Sequence, residues 1–434
     1  MKHLRTTSSG GLVVAILGLT LIVSSIPLSA TNGYLIHGIG TRAKAMAGAG
    51  VALPLDALSA GTNPAAIAWL GKRYDAGLGL FNPNREYTIT GNPSGFPGTF
   101  GLAPGNVESD ATLFFVPNFG GVWKLSGHSA WGLALYGQGG MNTEWPTRTF
   151  GGSQPTGVDL SQLFIVPTYA TKFGNEHHAI GISPIIAFQT FEATGLQAFA
   201  GFSSDPANLT NKGHDTSTGF GAKIGYLGQL TDNFSIGLAY QTEISMEELG
   251  DYAGLFAEQG GFDIPSNYVA GIAYKFGTGA VFALDYQEIF YTDVASVSNP
   301  FSSLLPPSFG GTGPVPLGAA NGAGFGWQDM SVIKAGFEWG GAPWTWRLGF
   351  STGDQPIPPS EVLFNILAPG VMEEHFTIGF TRELGSGNRA FSFSLMHAPS
   401  VSVSGANRLE APGAQTITLE MDQWDLEIGY TWGI

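Results

Sequence analysis

Along most of the chain, large apolar side chains recur at every second position. Between Phe234 and Tyr240 they fall at 234, 236, 238 and 240, and between Trp344 and Phe350 at 344, 346, 348 and 350. The C-terminal stretch repeats this with Trp424, Leu426, Ile428, Tyr430, Trp432 and Ile434, while Gln423, Asp425, Glu427 and Gly429 take the other face. A period of two marks strands whose two faces meet different surroundings. The pattern predicts about fourteen strands, near 73–90, 111–125, 129–145, 159–173, 177–195, 215–230, 233–249, 266–277, 279–295, 327–340, 343–353, 373–384, 389–404 and 420–434. The number is even, as bacterial outer-membrane barrels require.

Alternation alone does not separate a membrane barrel from a soluble sandwich. The connections do. Short ones such as 125–128, 231–233 and 340–342 interleave with long ones at 91–110, 146–158, 196–214, 251–264, 296–325, 354–371 and 405–419. Short periplasmic turns with long outer loops are the outer-membrane pattern. Trp123, Phe173, Phe234, Phe276, Trp339, Trp344, Phe391 and Trp432 stand at the short-turn ends, where an interfacial aromatic girdle belongs. After residue 30 no apolar run approaches the roughly 18–20 residues of a spanning helix. A membrane form of this chain is therefore a closed barrel.

Residues 1–30 read as a secretory signal: Lys2 and Arg5, an apolar Gly11–Ile26, then small Ser29-Ala30 at a cleavage site near Ala30. Removing them takes two of the 18 Lys+Arg and none of the 33 Asp+Glu, leaving 16 against 33, a net −17. Such a surface disfavours nucleic acid. The chain has no Cys, 64 Gly and only 12% charged residues, yet 30 Phe, 13 Tyr and 10 Trp. Glycine with aromatics suits bending, closely packed strands. Residues 31–70 differ from the rest. Their Ala/Gly content, with Gly38, Gly40, Gly48 and Gly50, gives no period-two face for lipid, and Asn63-Pro64-Ala65 punctuates them with a turn. The division expected is a signal at 1–30, a lumenal hatch at 31–70 and a barrel at 71–434.

Five short motifs carry a resemblance: Asn63-Pro64-Ala65, Val116-Pro117-Asn118, Tyr136-Gly-Gln-Gly-Gly-Met141, Asp354-Gln-Pro-Ile-Pro358 and Met396-His-Ala-Pro-Ser-Val401. In this order and spacing the chain resembles the FadL/TodX family of outer-membrane transporters for long-chain fatty acids and other hydrophobic compounds. The resemblance implies an all-β, 14-stranded antiparallel barrel with an N-terminal hatch, outer loops that catch apolar ligands, and a kinked third strand that opens the wall sideways. It implies passive uptake, with fatty acids first and aromatic or aliphatic hydrocarbons next. One departure is Ile434, where such barrels usually end in an aromatic residue.

The candidate residues follow. Asn63, Pro64 and Ala65 belong to the hatch. Tyr136, Gly137, Gly139 and Gly140 are the lateral gate, since three glycines in four residues weaken the ladder; an ordinary bulge accounts for them equally well on sequence alone. Among the apolar residues of the loops 196–214 and 251–264, Phe199, Phe202, Leu255 and Phe256 are the candidate capture groove. By parity Lys124, Lys223, Glu243, Asp285, Lys334, Glu338, Arg347, Asp425 and Glu427 face inward. A fatty acid carboxylate would pair with Lys334 or Arg347, while a lumenal network with Glu338 and Asp425 is the plainer role for either. Two rivals remain. A non-selective porin would lack the hatch. A barrel phospholipase would need a nucleophile beside His397, for which Ser394, Ser400 and Ser402 are the nearby serines. His177-His178 reads as solvated, Gly38-Ile-Gly40 follows no strand and is no dinucleotide loop, and neither catalytic residue, metal nor cofactor is expected. The expected surroundings are outer-membrane lipid and lipopolysaccharide, with the chain a monomer.

Overall fold

The architecture is seen in a computed structural model that describes residues 32–277, 279–307, 310–385 and 388–433; the expected signal at 1–30 and Ile434 lie outside them. One sheet holds sixteen strands. They are β1 (Arg73–Thr90), β2 (Gly105–Glu108), β3 (Phe114–Lys124), β4 (Ser129–Glu144), β5 (Gly157–Phe173), β6 (His178–Thr194), β7 (Asp215–Gln229), β8 (Phe234–Gln241), β9 (Ser245–Met246), β10 (Asn267–Lys275), β11 (Val281–Ile289), β12 (Met330–Gly341), β13 (Trp344–Gly353), β14 (Glu374–Leu384), β15 (Arg389–Ala406) and β16 (Thr416–Trp432). Fourteen form the wall. β1 pairs with β16 in register from Tyr74↔Trp432 to Thr90↔Thr416, which closes the barrel. β2 extends the outer end of β1, and the two-residue β9 lies on β7.

The period-two pattern becomes the two faces of this wall. On β16, Ile417, Leu419, Met421, Gln423, Asp425 and Glu427 point inward and are buried, while Trp424, Ile428 and Tyr430 are exposed. Ile224, Leu238, Leu348 and Ile378 continue that outward apolar band on other strands. Tyr74 at the short-turn end accepts the Trp123 indole N–H at 3.0 Å, and its ring stacks on Trp432.

Residues 32–70 precede β1 and lie against inward-facing side chains. The lumen is filled, and the wall has glycine where hatch backbone comes closest. A Cβ at Gly225 would overlap the Asn63 side chain, and one at Gly237 the Val51 carbonyl.

Two expected strands end well short: 279–295 gives β11, which stops at Ile289, and 233–249 gives β8, which stops at Gln241 although the alternation runs on to Met246. Thr242 Oγ1 then accepts the Ala222 N–H at 3.1 Å, and Ile244 and Leu249 turn inward and are buried. The apolar positions there serve the loop core over the lumen rather than a membrane face. The segments 290–307, 310–329 and 354–373 fold inward as well, burying Tyr291, Val297, Phe301, Trp327, Ile357 and Ile366.

Candidate functional site

Three features meet inside the barrel: a tethered hatch, a break in the wall and an apolar cavity under the outer loops.

The hatch has almost no ladder of its own, so the wall supplies its partners. Asp285 Oδ2 of β11 accepts the N–H groups of Gly50 and Val51 at 2.7 and 2.9 Å. Lys334 of β12 donates to the His37 carbonyl at 2.9 Å, Lys124 of β3 to that of Ala68 at 2.7 Å, and Lys223 of β7 to that of Gly61. Asn63 caps the turn at Pro64–Trp69: its Oδ1 accepts the Ala65 N–H at 3.0 Å, and its Nδ2 donates to the carbonyls of Val51 and Tyr226. Asn63, Pro64 and Ala65 thus form one buried corner against β6 and β7. Lys44 Nζ lies 2.7 Å from Asp425 Oδ2 and 2.9 Å from Glu427 Oε2, and Thr41 Oγ1 donates to Glu427 Oε1 at 2.8 Å. Burial alone would push the Lys44 ammonium down, but Asp425 and Glu427 outweigh it and hold it well above its usual range. Burial beside Lys44 keeps the His37 imidazole well below its usual value, so it is neutral.

The break is in β4. Its pairing with β3 ends at Asn118↔Tyr136, although β3 continues along β1 to Phe114. Gln138 is an extra residue in the β4–β5 ladder, which shifts register between Gly137 and Gly139. From Tyr136 to Thr143 the alternation vanishes and every residue is buried, so this half of β4 bends into the lumen. The edge it presents is taken by the start of the hatch. Ile36 N–H donates to the Gln138 carbonyl at 3.0 Å, Gly140 N–H donates to that of Tyr34 at 3.1 Å, and Leu35 bridges to Gly139. A Cβ at Gly139 would overlap the Tyr34 carbonyl oxygen, so glycine is needed here for close approach as well as for the bend. At the outer end, Asp110 N–H donates to the Glu144 carbonyl at 2.8 Å and rejoins the two sides. Between these points β3 and β4 are not paired.

The cavity lies under the loops. Val158, Phe199, Leu255, Phe256, Phe325 and Phe364 are among the residues lining a narrow apolar cavity of about 30 Å³. Phe199 packs 5.3 Å from Phe150 and 5.3 Å from Phe364, and Phe256 lies 4.6 Å from Phe191, ring centre to ring centre. Phe202, fourth of the expected groove residues, is exposed outside this cluster. Lys334 and Arg347 stand on neighbouring strands and are already engaged, Lys334 on the hatch and Arg347 with Glu338 at 2.6 Å and Thr381 at 2.7 Å. Tyr34, Tyr291 and Trp327 form a buried aromatic cluster behind the break, with Tyr34 5.4 Å from Tyr291 and 5.9 Å from Trp327. Its members are remote in sequence and no local pattern joins them.

The side chains considered for a phospholipase do not assemble. Ser394 is buried on the lumen face of β15, whereas His397 faces out and stacks on Trp424 at 4.1 Å. Ser400 lies within a bulge between Ala398 and Val401 and donates to Glu420 at 2.5 Å.

Residues 20–298 match the family model described as "Outer membrane protein transport protein (OMPP1/FadL/TodX)". The chain belongs to this family. Solved structures share the fold of this FadL/TodX protein at low identity. The Pseudomonas putida toluene transporter TodX superposes with a TM-score of 0.68 at 15% identity, over 92% of this chain and 99% of that one. The Ralstonia pickettii toluene transporter TbuX gives 0.60 at 18% identity, over 91% and 98%. A Pseudomonas aeruginosa FadL homologue gives 0.66 at 15%, over 92% and 99%. None of the curated proteins matches the chain significantly. As a FadL/TodX-type barrel, the protein resides in the outer membrane.

Proposed function

We propose that this protein is a passive channel for hydrophobic compounds, which enter from outside through the loop cavity, pass beside the hatch and leave sideways through the gap between β3 and β4. The unpaired stretch beyond Asn118 and Tyr136 carries this reading. A membrane barrel gains from pairing every backbone group, so a wall left open beside a strand bent inward calls for a use. An apolar solute gains nothing by entering water, and a side exit spares it that step. The lumen is packed along residues 32–70, which opposes a water-filled pore, and a chain that parts the rings around Phe199 and Phe256 would gain about 0.8 kcal/mol for each CH₂ buried there. Long-chain fatty acids are the proposed first substrates, and hydrocarbons such as those named for the TodX and TbuX transporters are the alternative.

The test compares uptake of radiolabelled oleate and toluene by proteoliposomes with and without the protein, beside single-channel conductance. Uptake of either solute by a barrel of low ion conductance supports the proposal. A large, steady conductance with no preference for apolar solutes would refute it in favour of a porin.

A further inference from the structure

Arg85 has no counter-ion. It faces inward on β1 with Phe81, Pro83, Tyr87 and Ile89, and is only 5% exposed. Lys44, Arg73 and Arg347 each pair with a carboxylate, but among the described residues no ion pair includes Arg85. Its guanidinium has one long hydrogen bond, to the Ala111 carbonyl at 3.4 Å, and lies 5.9 Å from the centre of the Phe114 ring. A guanidinium carries five N–H donors. Burying it with one poor acceptor is costly, and such groups are kept where something completes them.

The position says what that something is. Arg85 stands at the outer end of the wall gap, where its own carbonyl accepts the Ser109 N–H at 2.9 Å, one residue before the Asp110–Glu144 closure. It borders two spaces. One, a narrow space of about 20 Å³, lies inside among Tyr34, Asn142 and Trp327; the other, of about 280 Å³, lies outside among Glu86, Glu108, Glu420 and Asp422. At the same height the outward face changes character. Below it are Leu78, Leu113 and Phe115; at its level are Asn84, Glu86 and Asp422. Arg85 therefore sits where the apolar band gives way to the polar headgroup zone.

We propose that Arg85 is the headgroup receptor of the side opening: it pairs with the carboxylate of an amphiphile whose tail enters the gap between β3 and β4, and so selects acids over neutral hydrocarbons. This rests on the reading of the gap as the exit. The guanidinium matches a carboxylate with two parallel N–H donors. Its height suits a molecule entering the outer leaflet tail-first, because the head then stays level with neighbouring headgroups. The four carboxylates outside repel the same anion and keep it on the inner side of Arg85.

The full-length protein tests this in two arms. Wild-type protein in detergent is titrated with oleate, oleyl alcohol and oleylamine, which share one tail. Oleate is expected to bind about tenfold or more tightly than the alcohol, with the amine weakest. In proteoliposomes, the uptake ratio of oleate to 1-octadecene is expected to fall about tenfold in Arg85→Gln and to recover largely in Arg85→Lys. Equal binding of the three headgroups, or an unchanged ratio in Arg85→Gln, overturns the inference. The first arm decides alone if Arg85→Gln does not fold. Wild-type uptake of 1-octadecene without preference for oleate sinks only the role of Arg85; uptake of neither sinks the transport reading with it.

Discussion

Lys44→Met is the sharpest test of how the hatch is held. Lys44 is almost fully buried, and its ammonium is shared between Asp425 and Glu427 of β16. Methionine fills nearly the same volume but leaves two buried carboxylates facing each other without a cation. Breaking a buried pair this way costs about 3–5 kcal/mol. The wall does not bear that cost, because β16 keeps its full ladders to β1 and β15. The hatch does, since undocking lets water reach Asp425 and Glu427. The docked-to-undocked ratio should fall roughly a hundredfold to several thousandfold. Planar-bilayer recordings of Lys44→Met should then show frequent large openings absent from wild type, with unchanged heat-modifiable migration reporting an intact wall. Removing the acids too, in Lys44→Met with Asp425→Asn and Glu427→Gln, should restore most of the closure, because neutral groups of similar shape no longer need the cation. If the triple variant conducts as much as the single one, or if the single one stays silent, Lys44 is not the tether.

Three further outcomes are expected. Gly139→Val drives a side chain into the Tyr34 carbonyl, so residues 34–36 should leave the β4 edge; crosslinking between cysteines placed at 36 and 138, which adjoin across that edge, should drop sharply, and an unchanged yield would refute the close-approach argument. Phe199→Ser with Phe256→Ser should weaken binding of apolar ligands and flatten its dependence on chain length, and wild-type behaviour across a fatty acid series would remove the cavity from the pathway. Asp56 is raised from 3.8 to about 6 by burial with Asp75 beside it, so the folded state holds this proton more tightly than the unfolded one; the contribution is greatest below about pH 4 and is lost as pH rises through 6, and Asp56→Asn should make the melting temperature fall less steeply between pH 4 and 7, a slope as steep as wild type counting against it.

The wall was legible because it obeys one rule repeated many times. Each strand alternates, and each short turn interrupts the alternation with Gly, Asn, Ser or Asp. The rule misled where apolar alternation served another surface. Ile244 and Met246 keep the period beyond Gln241 but pack under the loops, and nothing local separates a lipid face from a loop core. The glycines at 137–140 were readable as a weak point, but not which backbone would take the vacated edge, because Tyr34 and Gly139 are joined only by tertiary packing. The inward charges were readable by parity, but their partners were not. Lys334 was a plausible receptor for a carboxylate until the His37 carbonyl was found on its ammonium. Arg85 also faces inward, and its lack of a counter-ion is visible only in three dimensions.

The distribution of these bonds bears on which part of the molecule yields. Displacing the hatch as a body breaks the Lys44 triad, the two N–H bonds to Asp285 and the bonds from Lys124, Lys223 and Lys334, most of them buried and charged. Each such bond is worth about 1.5–3 kcal/mol to keep. Freeing the bent half of β4 from the hatch breaks only neutral backbone contacts at Tyr34, Leu35 and Ile36, each worth about 1 kcal/mol. A passive channel has only the ligand's own binding energy to spend. On the proposed route the less costly movement is therefore the parting of Gln138–Gly140 from residues 34–36, with Tyr34 keeping its packing against Tyr291 and Trp327 in a hatch that stays in place. That movement opens toward the unpaired flank of β3 and so toward lipid, while the route to the periplasm along the barrel axis remains blocked.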